Sequence, residues 1–425
     1  MWIKFLNFLL RIFGYLPYKW KAQDVSPKKG QVAENFSLVK SNKWNVWSAA
    51  LTLGLSSVMF LDIYESIFKS RVNQLNYSTL RVFHTIYDVT MALSVALIQV
   101  LCFIQRDKLA RIFLESKNIC RMVKGFSGEL VYERHTSNRL WSTRLMVTLV
   151  LFAVIISLTA YWVFDVVVFD VLTLALLSVR FTAMGLQFCL LGVTFEFFLG
   201  QIENCIDAVF KNVIGPGLGW CNCLTGDNGG DKSLDLVRLK PEKNWPGVEH
   251  THLPQRLEMH SVNWMGHGKI FQRVQEDIMR IYSLLKLLIS YMEKIIVVKI
   301  ILLIFLAIVD ICYLMLFQKL KTSQKMLNVS HTLITVTPLL FFLNLPTSYT
   351  EKVAALKWKL MKLTILPTHR IAIEQLKELQ HLLDQSPSFD MCHVFTLERS
   401  KIVHIFSFVA TYVVIFMQFL SAEKN

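Results

Sequence analysis

Charge is scarce in this chain, and what there is leans to one sign. Only 18% of the 425 residues are Asp, Glu, Lys or Arg, where a soluble domain carries about 25%. With 53% hydrophobic residues, the shortage argues against an ordinary soluble domain. Proline (10) and glycine (17) are sparse as well, which excludes collagen-like and low-complexity chains. The eight cysteines (Cys102, Cys120, Cys189, Cys205, Cys221, Cys223, Cys312 and Cys392) do not have the spacing of a secreted disulfide framework and read as reduced thiols. Acidic residues are outnumbered by basic ones, 31 to 45, for a net charge of +14. Such a balance suits nucleic acid or an anionic membrane surface. Here the basic residues flank apolar runs and form no separate basic domain. The lipid bilayer is therefore the expected partner, and nucleic acid is not.

What the chain does have is long apolar runs. A membrane span needs about 20 mainly apolar residues to cross roughly 30 Å of hydrocarbon. Seven segments qualify: Val46–Tyr64, Val82–Ile104, Arg144–Phe164, Val171–Phe198, Ile295–Phe317, His331–Thr347 and Val403–Leu420. The third and fourth form a hairpin with a tight turn near Asp165–Asp170. Lys and Arg crowd the amino-terminal arm and the second, fourth and sixth loops, each with about eight or more, and are few in the alternate segments. That bias places the amino terminus in the cytoplasm and the carboxyl terminus outside. The sequons at Asn76 and Asn328 then fall in outer loops and are candidate glycosylation sites. The expected fold is an all-α, seven-span membrane protein whose helices extend into the cytoplasm.

The organisation follows from these spans. Residues 1–45 form a cytoplasmic arm, with a short interfacial helix near Phe5–Ile12 rather than a signal peptide, because Arg11 interrupts the run. Spans one to four occupy 46–212. Residues 213–258 are rich in Gly, Pro, Asn and Asp without sustained periodicity, and read as an irregular cytoplasmic insertion. Cys221, Cys223, His250 and His252 lie in it, but their spacing departs from zinc patterns. No metal or cofactor is expected. Residues 259–294 carry Ile270, Val274, Ile278, Ile281, Leu285 and Leu288 at helical spacing, and 350–402 carry two more amphipathic stretches. These helices either lie on the bilayer or pack together as an anchor domain; periodicity leaves the choice open. Spans five and six fill 295–349, and 403–425 hold span seven and an outer tail.

Ionisable and hydrogen-bonding groups inside spans are costly, and they tend to face a cavity, a partner or an ion path. In the outer halves of the spans, Tyr87, Asp88, Tyr161, Trp162, Asp310, Tyr313 and Thr335 are candidates to line a pocket for a small organic molecule. Arg180 lies at a similar depth and is a counter-ion for Asp88 or Asp310. Tyr161 and Trp162 read equally well as interfacial belt aromatics, and Lys299 as a side chain snorkelling toward the cytoplasm. In the last span Thr411, Val414, Ile415 and Gln418 share one helical face. That face is polar at both ends and apolar between, which suits a narrow pore closed by hydrophobic contact. From spacing alone, an ordinary helix with two tolerated polar residues explains it as well.

The ending Thr411-Tyr412, five apolar residues, then Gln418-Phe419 resembles the signature that closes insect gustatory receptors. Phe395-Thr396-Leu397-Glu398-Arg399 resembles the family's approach to that span, and Gly14-Tyr15-Leu16-Pro17 its amino-terminal pattern. The resemblance implies a ligand-gated, non-selective cation channel in the plasma membrane of chemosensory neurons. Four subunits, alike or mixed with other gustatory receptors, would surround a pore lined by the last span. Gln418 and Phe419 would form the outer gate, with Thr411 and Tyr412 supporting the helix. The ligand is a small-molecule tastant. Val413 stands where sugar-receptor members often carry Glu, which favours a bitter or other plant secondary compound over a sugar. An odorant-receptor-type channel shares the architecture. A secondary transporter would be expected to show internal repeats, and a membrane enzyme clustered acid–base or metal residues, for which His84 with Asp88 is a weak candidate. No enzymatic activity is expected.

Overall fold

The computed structural model describes residues 2–22, 36–68, 78–127, 147–152, 154–155, 159, 171–214, 264–316, 322–365 and 370–424. Ten helices have complete bounds among these: α1 (Trp2–Ile12), α2 (Asn42–Phe68), α3 (Ser78–Ile104), α4 (Arg106–Ser127), α5 (Val171–Ile214), α6 (Trp264–Leu316), α7 (Thr322–Asn344), α8 (Thr347–Ile365), α9 (Arg370–Asp384) and α10 (Lys401–Lys424). Two small antiparallel sheets join them, which the all-helical expectation did not include. One pairs β1 (Tyr18–Ala22) with β2 (Phe36–Lys40), in the register Tyr18 to Lys40. The other pairs β3 (Asp390–Met391) with β4 (Phe395–Thr396).

Six helical segments among the described residues are long and apolar enough to cross a membrane: Asn42–Phe68, Thr85–Ile104, Ala175–Phe210, Phe271–Cys312, Thr332–Met361 and Lys401–Phe419. They coincide with six of the seven expected spans. The third expected span is described only in part, as helical residues at 147–152, 154–155 and 159. Val150 and Val154 of that stretch are buried against Gly185 of α5, where an added Cβ would sit 2.7 Å from Val154 Cγ2. The close approach requires glycine. The turn at Asp165–Asp170, residues 215–258 of the expected insertion with Cys221, Cys223, His250 and His252, and Asn76 lie outside the described residues; α5 runs on to Ile214, two residues into that insertion.

α5 has 44 residues and α6 has 53, about 66 and 80 Å at 1.5 Å per residue. Both far exceed the roughly 30 Å of hydrocarbon, and their extra turns pack against other helices. Val274, Ile278, Ile281, Leu285 and Leu288 of α6 are buried, as are Leu376, Leu379 and Leu383 of α9. The amphipathic helices thus form a packed extension of the bundle rather than lying flat. Ion pairs fasten its flank: Lys352 of α8 lies 2.6 Å from Asp207 of α5, and Lys357 lies 2.8 Å from Asp384. Tyr349 hydrogen-bonds Ser386 at 2.8 Å.

The β3–β4 hairpin leads from this extension into α10. Cys392 and His393 adopt φ of 52° and 58°, and the Val394 N–H donates to Met391 O at 3.0 Å, as in the tight turns that match strand twist. Phe389 of the hairpin packs edge-on against Tyr349 and Phe195. At the other terminus α1 ends at Gly14, which takes φ of 75°. Tyr15 N–H and Leu16 N–H both donate to Leu10 O, at 2.7 and 3.1 Å, a helix stop that favours glycine. Ser48 of α2 donates to Gly14 O. The turn drives Tyr15 and Leu16 into the core, which explains the Gly-Tyr-Leu-Pro pattern physically.

One expectation needs correction. Asn328 was expected in an outer loop, but it lies within α7, because residues 322–330 contain neither Gly nor Pro to break the helix.

Candidate ligand pocket and pore helix

α2 shows how the spans carry polar groups inward. Ser48, Thr52, Met59, Asp62 and Ser66 fall on one helical face and are buried, while Val46, Leu53, Phe60, Leu61, Tyr64 and Phe68 are exposed. Apolar residues outside and polar ones inside is the pattern of a helix solvated by lipid.

Asp62 meets Arg180 of α5, and so does Asp88 of α3. The guanidinium lies 3.0 Å from Asp62 Oδ2 and 2.6 Å from Asp88 Oδ1, and it also donates to Asp88 O at 3.3 Å. All three side chains are buried; Arg180 is 1% exposed. Each carboxylate alone would be costly here, and an arginine fork between two of them supplies both charge balance and hydrogen bonds. Arg180 is therefore the counter-ion of Asp88, with Asp62 as a second anion. Asp310 of α6 is bound differently: it accepts from Thr335 of α7 at 3.1 Å and hydrogen-bonds Tyr87. Because Tyr87 and Asp88 are consecutive, α2, α3, α5, α6 and α7 meet in one polar layer.

Of the expected pocket residues, the structure brings together Tyr87, Asp88, Arg180, Asp310 and Thr335. Tyr161 and Trp162 lie outside the described residues, and so do the side chains of Tyr313 and His84. Asp62 was missed. Its signal was an acidic residue near the end of the first span, in helical phase with Ser48, Thr52 and Ser66. The five assembled residues are buried and engage one another. A cavity of about 500 Å³ lies elsewhere, beside Ile12, Lys43, Trp44 and Trp47.

A second polar layer lies about 10 Å along α3 and α5, judged by residue spacing. Gln187 donates to Val95 O at 3.0 Å and hydrogen-bonds Tyr15. Lys299 is 1% exposed, with Nζ 3.5 Å from Gln187 Oε1 and 3.8 Å from the centroid of the Phe188 ring. It does not snorkel, because an amide oxygen and a ring face meet its ammonium inside the bundle.

α10 is the contrasting element. Val409, Val413 and Phe416 pack against Cys312 and neighbouring residues of α6. Thr411, Tyr412, Val414, Ile415, Gln418 and Phe419 are all exposed. Thr411 Oγ1 donates back to Ser407 O at 2.9 Å, and Tyr412 stacks on Phe408 at 4.5 Å. Every residue of the expected pore face is thus on the surface of the single chain. Among the described residues no cluster of His, Cys, Asp and Glu could hold a metal ion.

The family model of the 7tm chemosensory receptors matches residues 3–423. The chain belongs to the 7tm chemosensory receptor family. The receptor shares its fold with the insect olfactory receptor OR5 from Machilis hrabei, at a TM-score of 0.62 and 12% identity, covering 98% of this chain and 97% of that one. The structure of OR5 in complex with eugenol aligns with a TM-score of 0.57 and 14% identity over the same shares. No curated protein sequence matches the receptor. Membership makes it a multi-pass membrane protein of a chemoreceptor class rather than of an enzyme class.

Proposed function

We propose that this receptor is a gustatory receptor acting as a ligand-gated, non-selective cation channel. Its subunits form a homotetramer, or a heterotetramer with other gustatory receptors, and α10 of each lines a central pore. The observation that carries the reading is the bare face of α10. Thr411, Val414, Ile415 and Gln418 are exposed on a helix whose opposite face is packed against α6. Copies related by a symmetry axis would cover that face and enclose a path that is polar at its ends and apolar between. Gln418 and Phe419 form the outer gate, and Thr411 and Tyr412 support the helix.

The ligand is a small organic tastant, bound among the outer halves of the spans near Tyr87, Asp88, Arg180, Asp310 and Thr335, with Tyr161, Trp162 and Tyr313 as further candidate pocket residues. Val413 in place of Glu favours a bitter or plant secondary compound. The packed extension holds subunits together. The amino terminus is cytoplasmic and the carboxyl terminus outside, in the plasma membrane of chemosensory neurons, and of the two sequons Asn76 is the candidate glycosylation site that this orientation keeps in an outer loop. An odorant-receptor-type channel is the second reading, favoured by the likeness to OR5.

The test is whole-cell recording from cells expressing the chain alone while plant alkaloids, glycosides and sugars are applied. A reversible cation current that is altered in Q418A/F419A at equal surface expression supports the proposal. An evoked current that this double variant leaves unchanged removes the gate from α10.

A further inference from the structure

α4 and the extension of α5 run side by side in a constant register. The Phe113 and Phe198 rings meet edge-on at 4.8 Å. Ser116 donates to Gln201 Oε1. One turn further, the thiols of Cys120 and Cys205 are in hydrogen-bond contact. In all three pairs the second residue lies the same number of positions after the first, so the helices are parallel and face each other along one line. The cysteine contact is the next rung of a ladder that two other pairs establish independently.

Both cysteines are reduced. Cys205 is buried and Cys120 half-buried, so Cys120 is the more accessible residue of the pair. A disulfide needs Cα atoms about 4.4–6.8 Å apart. Helices packed with axes about 9–10 Å apart, the wider end of ordinary helix packing, bring directly facing Cα atoms to about 4.4–5.4 Å, inside that range.

We propose that Cys120 and Cys205 are a peroxide-sensitive modification site that forms a reversible disulfide between α4 and α5. Cys120, as thiolate, attacks one oxygen of hydrogen peroxide. An S–O bond forms, the O–O bond breaks, and the departing hydroxide takes up a proton as water. The sulfur is now a sulfenic acid. Cys205 then attacks that sulfur and gives up its proton; the S–S bond forms, the S–O bond breaks, and a second water leaves. Two thiols and one peroxide yield one disulfide and two waters. An external thiol reverses the change by exchange.

The position gives the bond mechanical meaning. α4 continues the chain from α3 with only Gln105 between them. α3 and α5 are already held together toward their amino-terminal ends by Asp88 and Arg180, at 2.6 Å. A disulfide between Cys120 and Cys205 would fasten the same two chain segments at their other ends. The inference depends on the packing of α4 and α5 and not on channel activity.

The test uses the full-length receptor in membranes, exposed to hydrogen peroxide, then blocked with N-ethylmaleimide, proteolysed and read by mass spectrometry. The expected result is a peptide pair joining Cys120 to Cys205 (with fragmentation separating Cys205 from Cys189), lost on dithiothreitol treatment and absent from C120S and C120A. Recovery of Cys205 as its maleimide adduct, or its linkage to a different cysteine, after peroxide has consumed Cys120 would overturn the proposal. So would maleimide adducts on both cysteines at peroxide doses that oxidise exposed Cys392.

Discussion

The spans of α5 and α10 are similarly apolar but sit in opposite surroundings. In α5, 67% of the span residues are buried within the chain, whereas in α10 only 17% are. α5 touches α2, α3, α4, α6, α7 and α8, and it carries Arg180 and Gln187 into polar layers that helices on several sides complete. α10 rests mainly on α6 through Val409, Val413 and Phe416. α2 is nearly as bare, at 22%, yet the middle of its exposed face is mostly apolar, with Leu53, Phe60, Leu61 and Tyr64 and the single hydroxyl of Ser57, which suits lipid. The exposed face of α10 includes Ser407, Thr411 and Gln418. Polar groups on a bare membrane-depth face suit water or another subunit better than hydrocarbon. The comparison teaches that burial in one chain separates a helix that builds the fold from one whose polar-bearing face the chain leaves uncovered.

The sharpest break falls at Arg180. R180A leaves Asp62 and Asp88 buried together without their cation, a loss of about 3–5 kcal/mol. Surface labelling of intact cells is expected to show little mature receptor. Combining R180M with D62N and D88N removes all three charges and is expected to restore part of it. G185V comes next. Its side chain would run into Val154, only 2.7 Å from the first added carbon, at a cost of about 1–3 kcal/mol. Thermal unfolding in detergent should show a lowered midpoint.

Within α10 the two faces are expected to separate. V413A opens the contact with α6 and costs about 1–2 kcal/mol, seen as a lower unfolding midpoint. I415A lies on the bare face and should change the stability of the monomer by less than about 0.5 kcal/mol, while altering ligand-evoked current. If both variants shift the midpoint equally, the distinction between the faces fails. The smallest effect is expected at Tyr18, whose hydroxyl donates to Asp107 Oδ1 at 2.6 Å. Burial and the Asp107 carboxylate push its ionisation up to about 12, so the folded state holds this proton more tightly than the unfolded chain. Its contribution is fully present below about pH 10 and fades as pH rises toward 12. Y18F should abolish that alkaline dependence with little effect at neutral pH.

Much of this architecture was legible in the sequence because lipid imposes a length on each apolar run. The amphipathic stretches of α6 and α9 were visible through their period, but whether they pack or lie flat depends on partners far along the chain, such as Tyr349 with Ser386. Asp88 and Arg180 stood out as charges deep within spans. Asp62 did not, because a carboxylate near a span end also reads as one reaching water. The pairing of Asp310 with Thr335, rather than with Arg180, depended on which faces of α6 and α7 meet. Lys299 misled because snorkelling is the usual fate of a lysine near a span end, and nothing local announced the ring of Phe188 beneath it. The ladder joining α4 to α5 needed their register, which no single segment contains.

The account rests most heavily on α10 lining a shared pore. Single cysteines at Gln418 and Val413 should be tested with a charged, membrane-impermeant methanethiosulfonate reagent applied outside during ligand-evoked current. The account predicts that Q418C loses current on modification while V413C, turned toward α6, does not. Unchanged current in a Q418C receptor shown to be labelled, or selective block through V413C, would contradict it.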